Sequence, residues 1–307
     1  MDTFSKCLNR VFLALCIFFG GGITTSSFAG PESLPDYSKG KNPVIEEVAP
    51  VCDPRWYISI GGGIDVDLGG TDLTHNFDKD FTSFFLGFIP VASRAEIQSH
   101  DWNDAYDDAW RIQGELGYAL TQHVEVFGLF KYAHADANGR TTGSRVFVDG
   151  SGPLPLTSRF DDYNAWGGEL GFRFYFTPRA SHIRPYVSLS GGATHVDSID
   201  ISTTADLTSI GGASDLLVYK GGFFNDSWVG AGTALLGVEW IVACHWAVGV
   251  NGGVHYETRL DQNDNDFRGF VDFAGIFAVP LRHFRQSNDD AGDRWTAPVT
   301  GYVKFRF

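Results

Sequence analysis

Eight segments of this chain alternate apolar and polar residues one by one, and that alternation restricts the fold more than any other feature. In "WYISIGGGIDVD" (56–67), Trp56, Ile58, Ile60, Gly62, Ile64 and Val66 share one face of an extended chain. Tyr57, Ser59, Gly61, Gly63, Asp65 and Asp67 share the other. The pattern returns over 110–118, 124–132, 166–176, 186–194, 228–240, 246–256 and 295–307. Each segment is long enough for a tilted strand to cross a bilayer, which takes about 9–11 residues. No helical span of about 18 apolar residues is expected after the N-terminal segment.

The connections alternate in length. Short turns at 120–123, 177–182 and 242–245 alternate with long segments at about 68–109, 134–163, 196–227 and 257–294. An antiparallel up-and-down barrel with its long connections at one end gives this rhythm. Tryptophan placement agrees. Trp110, Trp166, Trp228 and Trp295 begin strands that leave long connections, while Trp56, Trp240 and Trp246 stand at the short-turn end. Indoles favour the headgroup layer at both rims of a bilayer, so these seven are read as two aromatic girdles.

Polarity decides which way the faces look. One face gathers Glu115, Glu125, Lys131, Glu169, Arg173, Glu239, Lys304 and Arg306. In a soluble barrel the apolar face points inward. Here the charges of both signs are expected to pair in a lumen that eight strands leave only wide enough for side chains, with the apolar face toward lipid. The expectation is an all-β, eight-stranded transmembrane barrel with four long extracellular loops. Ten strands would result if two of those segments formed a further hairpin.

Composition adds boundaries. A net charge of −14 and a pI near 4.9 argue against a nucleic-acid partner, which needs a basic face. The 37 glycines and 26 phenylalanines suit strands. Residues 1–29 read as a signal peptide: Lys6 and Arg10 precede an apolar run at 11–23, and Ser27-Phe28-Ala29 offers a cleavage site. Residues 30–55 carry five prolines (31, 35, 43, 50 and 54) and read as a periplasmic linker to a barrel over 56–307. Cys52 and Cys244 then remain in an oxidising compartment, both at the periplasmic end, and are expected either to form a disulfide or to stand as two independent thiols.

The stretch "FYFTPRASHIRPYVSLSGGATHV" (174–196) resembles the turn and strand of OmpA-like and porin-family outer-membrane barrels. The terminal "GYVKFRF" resembles the signal those proteins present to the outer-membrane assembly machinery, carried here by Tyr302, Val303, Phe305 and Phe307. The resemblance implies the outer membrane of a Gram-negative-type cell and contact with its lipid. The long connections depart from the type, and no peptidoglycan-binding domain is expected.

Other motifs are weighed against plainer readings. The inward charges could switch partners in a gated pore, or form a static polar plug. In "DQNDNDFRGFVD" (261–272), Asp261, Asn263, Asn265 and Asp272 match part of a calcium-loop spacing, but Asp266 stands where glycine is required, so a solvated acidic tip is expected. His100, Asp101, Asp104, Asp107 and Asp108 sit at a strand rim where an outer-membrane protease would activate water, yet no facing Asp/His pair is evident. The apolar stretches at 81–93, 214–224 and 270–281 read as packing within the long segments, as strand extensions or as binding patches. The resulting expectation is a non-catalytic structural or surface-interaction protein, without cofactor or metal. A narrow porin and an adhesin that engages a host or extracellular ligand are the alternatives.

Overall fold

The computed structural model describes residues 54–70, 72–74, 76–85, 89–137, 139–148, 152–208, 214–263, 270–273, 277–280 and 292–307. The expected signal peptide, most of the expected linker and Cys52 lie outside these residues. Strands are numbered in chain order. The barrel is built from β1 (Trp56–Gly70), β4 (Ala109–Ala119), β5 (Val124–Ala135), β8 (Tyr163–Tyr175), β9 (Ile183–Val196), β12 (Ser227–Ala243), β13 (Trp246–Glu257) and β16 (Arg294–Arg306). They close antiparallel in the order β1-β16-β13-β12-β9-β8-β5-β4. The seam joins the two chain-distant strands in register, with Ile58 opposite Phe305 and Ile60 opposite Val303.

Exposure along the strands is inverted relative to a soluble barrel. Leu170 is 76% exposed, whereas Glu239 and Lys304 are each 0% exposed. The seven tryptophans of the two rims all point outward and are exposed. At the short-turn rim Trp56 meets Tyr118, and Trp246 meets Phe305, each at 4.9 Å between ring centroids. At the other rim Trp166 meets Trp228 at 5.0 Å and Tyr256 meets Trp295 at 4.7 Å. Strand rise and tilt put Trp228 and Trp240, at the two ends of β12, about 30 Å apart along the barrel axis, close to the height of a bilayer's apolar band.

The four long segments are not loops. Each contributes a hairpin: β2 (Phe77–Phe85) with β3 (Ile89–Ile97), β6 (Arg145–Val148) with β7 (Gly152–Phe160), β10 (Ile199–Ala205) with β11 (Leu216–Phe224), and β14 (Phe270–Phe273) with β15 (Phe277–Pro280). The hairpins join into a second eight-stranded sheet, ordered β11-β10-β7-β6-β3-β2-β15-β14. Nearly all the described residues of the apolar stretches at 81–93, 214–224 and 270–281 therefore belong to strands. Strands β2 and β3 pair with β15 and β6 of other segments, whereas β11 pairs with β10, and β14 with β15, within its own segment. The barrel itself has eight strands, not ten.

Between barrel and second sheet lies an apolar layer. A short helix α1 (Trp102–Ala105) buries Trp102 beside Tyr106, Phe160, Tyr163, Ile199, Phe223 and Phe224. Trp102, which sequence alone places in a loop, thus lies in a helix. Its indole N–H donates to the Asp293 carbonyl at 3.2 Å, and Tyr106 donates to the Asp161 carbonyl at 3.0 Å. Burial holds the Tyr106 phenol above its ordinary pKa.

Candidate functional site

Alternation turns every second residue of the barrel strands inward, and the inward set carries the charges. In the lower lumen, Arg173 from β8 makes a two-pronged contact with Glu115 from β4, at 3.0 and 2.9 Å. Lys304 from β16 reaches Glu239 at 2.5 Å and Glu125 at 3.0 Å. Arg184 from β9 lies 3.1 Å from Glu239 and 3.6 Å from Glu125. Three carboxylates thus meet three cations. Tyrosines complete the layer: Tyr57 donates to Glu115 at 2.6 Å, and Tyr175 donates to Glu239 at 2.9 Å. The Arg184 guanidinium covers the Tyr175 ring at 3.5 Å, and Lys304 lies 4.0 Å from the centre of the Tyr57 ring.

A second layer sits above. Lys131 lies 3.1 Å from Glu169 and 3.5 Å from Glu257. His255 stands 3.1 Å from Glu257 and bonds the Thr233 hydroxyl at 2.8 Å. Tyr163 donates to Glu257 at 2.6 Å, and Ser190 donates to Glu169 at 2.6 Å. Higher still, Arg111 pairs with Asp65 at 2.5 Å and Arg294 with Asp67 at 3.4 Å. The Arg294 guanidinium lies against the rings of Tyr163 and Trp102, which joins the charged stack to the apolar layer.

Of the lumen residues expected from sequence, Glu115, Glu125, Lys131, Glu169, Arg173, Glu239 and Lys304 meet in these layers. Arg306 is buried at the short-turn mouth and donates to the Cys244 carbonyl at 3.1 Å. Sequence reasoning missed Arg184, Glu257 and Arg294 because they sit at or beyond the strand ends it drew. Asp65, Asp67, Arg111 and His255 had the right parity but were not gathered into the cluster. Phe127 and Leu129, which blurred the polar face of β5, pack against Tyr57 inside the lumen.

The remaining motifs make local contacts. Asp104 accepts the Asp101 backbone N–H at 3.2 Å and lies 3.6 Å from His100, so "SHDWND" caps α1. Burial, and then a hydrogen bond to Asp72, raises the Asp101 carboxyl above its ordinary pKa. Asp261 accepts from the Asn225 side chain at 2.9 Å. Residues 264–269 of the calcium-like motif lie outside the described residues. Cys244 is disulfide-bonded. A concavity of about 790 Å³ on the outer wall runs past Gly114, Gly128, Gly168 and Gly191 between Ile58, Leu116, Phe130 and Leu170. It faces the apolar surround, not the lumen.

A closed eight-stranded antiparallel barrel, apolar outside and charged within, is the architecture of the OmpA-like outer-membrane barrels. Several solved structures are similar to this chain at low identity. Neisserial surface protein A matches at 10% identity and a TM-score of 0.36, over 82% of this chain and 97% of that one. Ail of Yersinia pestis matches at 11% and 0.34, over 83% and 99%. The N-terminal barrel domain of OprF from Pseudomonas aeruginosa matches at 13% and 0.29, over 83% and 98%. No protein-family model and no curated protein matches the sequence.

Proposed function

We propose that the protein is an integral outer-membrane β-barrel of structural or surface-interaction type, without catalysis, that works through its second sheet and not through a pore. One observation carries this reading: the lumen charges are paired with one another and roofed by the apolar layer around Trp102. A conducting pore needs a continuous wet path, and two layers of buried ion pairs leave side chains where that path would run. The girdles and the inverted exposure support insertion in the outer membrane, in contact with its lipid. The terminal Tyr302, Val303, Phe305 and Phe307 serve as the address for the assembly machinery.

Planar-bilayer recording tests the closed lumen. The purified chain is expected to give no unitary conductance steps, and reproducible steps would favour the narrow-porin alternative. Surface interaction is tested by replacing 68–109 or 257–294 with short turns. The barrel should still assemble while binding of cells to host or matrix protein falls. Unchanged binding in both variants would leave a structural role.

A further inference from the structure

Two histidines stand on the outward face at the second-sheet rim, among the tryptophans. His134 lies 5.5 Å from Trp110 and His195 stacks on Trp166 at 5.1 Å, measured between ring centroids. Each is followed two residues later by an aspartate, in "HAD" (134–136) and "HVD" (195–197). Their surroundings differ in one decisive respect.

At His195 the carboxylates straddle the ring. Nδ1 faces Asp197 at 3.6 Å and Nε2 faces Asp226 at 3.9 Å. Acids on opposite sides suit an imidazolium, but they cannot share an ion with one ring nitrogen. At His134 the acids converge. Nδ1 lies 2.8 Å from Oδ1 of Asn164, an oxygen that also accepts from the Tyr132 hydroxyl at 2.9 Å. An amide oxygen only accepts, so Nδ1 carries the proton and Nε2 of the neutral ring presents a lone pair. That lone pair faces Asp136 Oδ1 at 3.2 Å. A carboxylate oxygen of Asp162 completes the group, and the three ligand atoms lie within 4.8 Å of one another. Asp162 is held in place because its Oδ1 accepts the Ala137 backbone N–H at 2.9 Å. Two acceptors this close need a positive charge between them, either a second ring proton or a cation.

We propose that His134 Nε2, with one carboxylate oxygen from each of Asp136 and Asp162, binds a divalent transition-metal ion of the Zn²⁺ class at the outer rim. One imidazole and two carboxylates form a set that Zn²⁺ takes at about 2.0–2.2 Å, with a further position open to water. Calcium and magnesium would ask for more oxygens and no imidazole. Asp136 and Asp162 are exposed, so they can draw inward as the ion enters. The chain Tyr132–Asn164–His134 is the outer support that fixes tautomer and ring orientation at metal-binding histidines. Strand register builds it, since His134 and Asn164 are direct partners between β5 and β8. No sequence spacing announces the site, because Asp162 reaches it from the far end of a long connection.

Calorimetric titration of the mature chain with Zn²⁺ tests this, using untagged, detergent-folded protein stripped with EDTA. One ion per chain is expected. His134→Ala and Asp162→Asn should each weaken binding at least about 10-fold, and Asn164→Ala about 10–100-fold. His195→Ala should bind like the wild type. Heat-modifiable gel migration establishes that each variant is folded. Equal uptake by the wild type and His134→Ala overturns the site. So does loss of binding in His195→Ala, or Ca²⁺ binding that needs both aspartates but survives His134→Ala.

Discussion

The ring of Tyr57 lies across Gly117, its direct partner on the neighbouring strand, and a methyl group at Gly117 would overlap that ring. The arrangement recurs at Gly237 under Tyr186, Gly249 under Tyr302 and Gly171 under Phe127, each pair directly opposed across a ladder. Glycine in a strand interior costs stability, but here it makes room for an aromatic ring in a narrow lumen. The Tyr57 hydroxyl then reaches Glu115, so each ring fills space and satisfies a charge. Gly117→Ala should therefore destabilise the folded barrel by about 1–3 kcal/mol through overpacking. Gly114→Ala, where an added methyl meets nothing closer than 4.0 Å, should be near neutral. Urea unfolding midpoints of the two variants make the comparison.

Lys304 touches both Glu125 and Glu239, so its removal leaves two buried carboxylates facing each other with less compensation. Lys304→Met should cost about 3–5 kcal/mol. Adding Glu239→Gln removes one of those charges, and Glu125 keeps Arg173 at 3.5 Å and Arg184 at 3.6 Å. The double variant should be more stable than Lys304→Met alone. A thermodynamic cycle in urea reads the difference, and strict additivity would refute the pairing.

Phe307 joins the seam through its backbone, donating to the Trp56 carbonyl at 2.9 Å and accepting from its N–H at 3.0 Å. Its side chain is exposed and touches Phe305. Phe307→Ala keeps both backbone bonds, so the purified variant should unfold within about 0.5–1 kcal/mol of the wild type. If the terminal residues are the assembly address, the amount of heat-modifiable protein in the membrane fraction should nevertheless fall several-fold. Equal amounts would remove that role.

Cys244 is joined in a disulfide, and Cys52 is the partner that export and the linker's position suggest. Peptide mapping of the unreduced mature protein should recover one linked pair containing positions 52 and 244. Alkylation under denaturing conditions without reductant should label neither residue.

Much of this molecule was legible from residue order alone. Strict alternation over 56–67 and its repeats fixed strands, faces and membrane-crossing length, because an extended chain has period two whatever surrounds it. The inward parity of Glu115, Arg173 and Lys304 followed from the same rule, and the tryptophans marked both rims. Tertiary structure alone decided the rest. Which charge meets which depends on strand register around a closed circle, so Lys304 and Glu239 meet across 65 positions of chain and Arg184 joins them from a strand end. The second sheet arises because each hairpin pairs with strands from other segments, a partnership that no local pattern encodes. The convergence of His134, Asp136 and Asp162 has the same origin: cross-strand geometry joins residues that their spacing keeps apart.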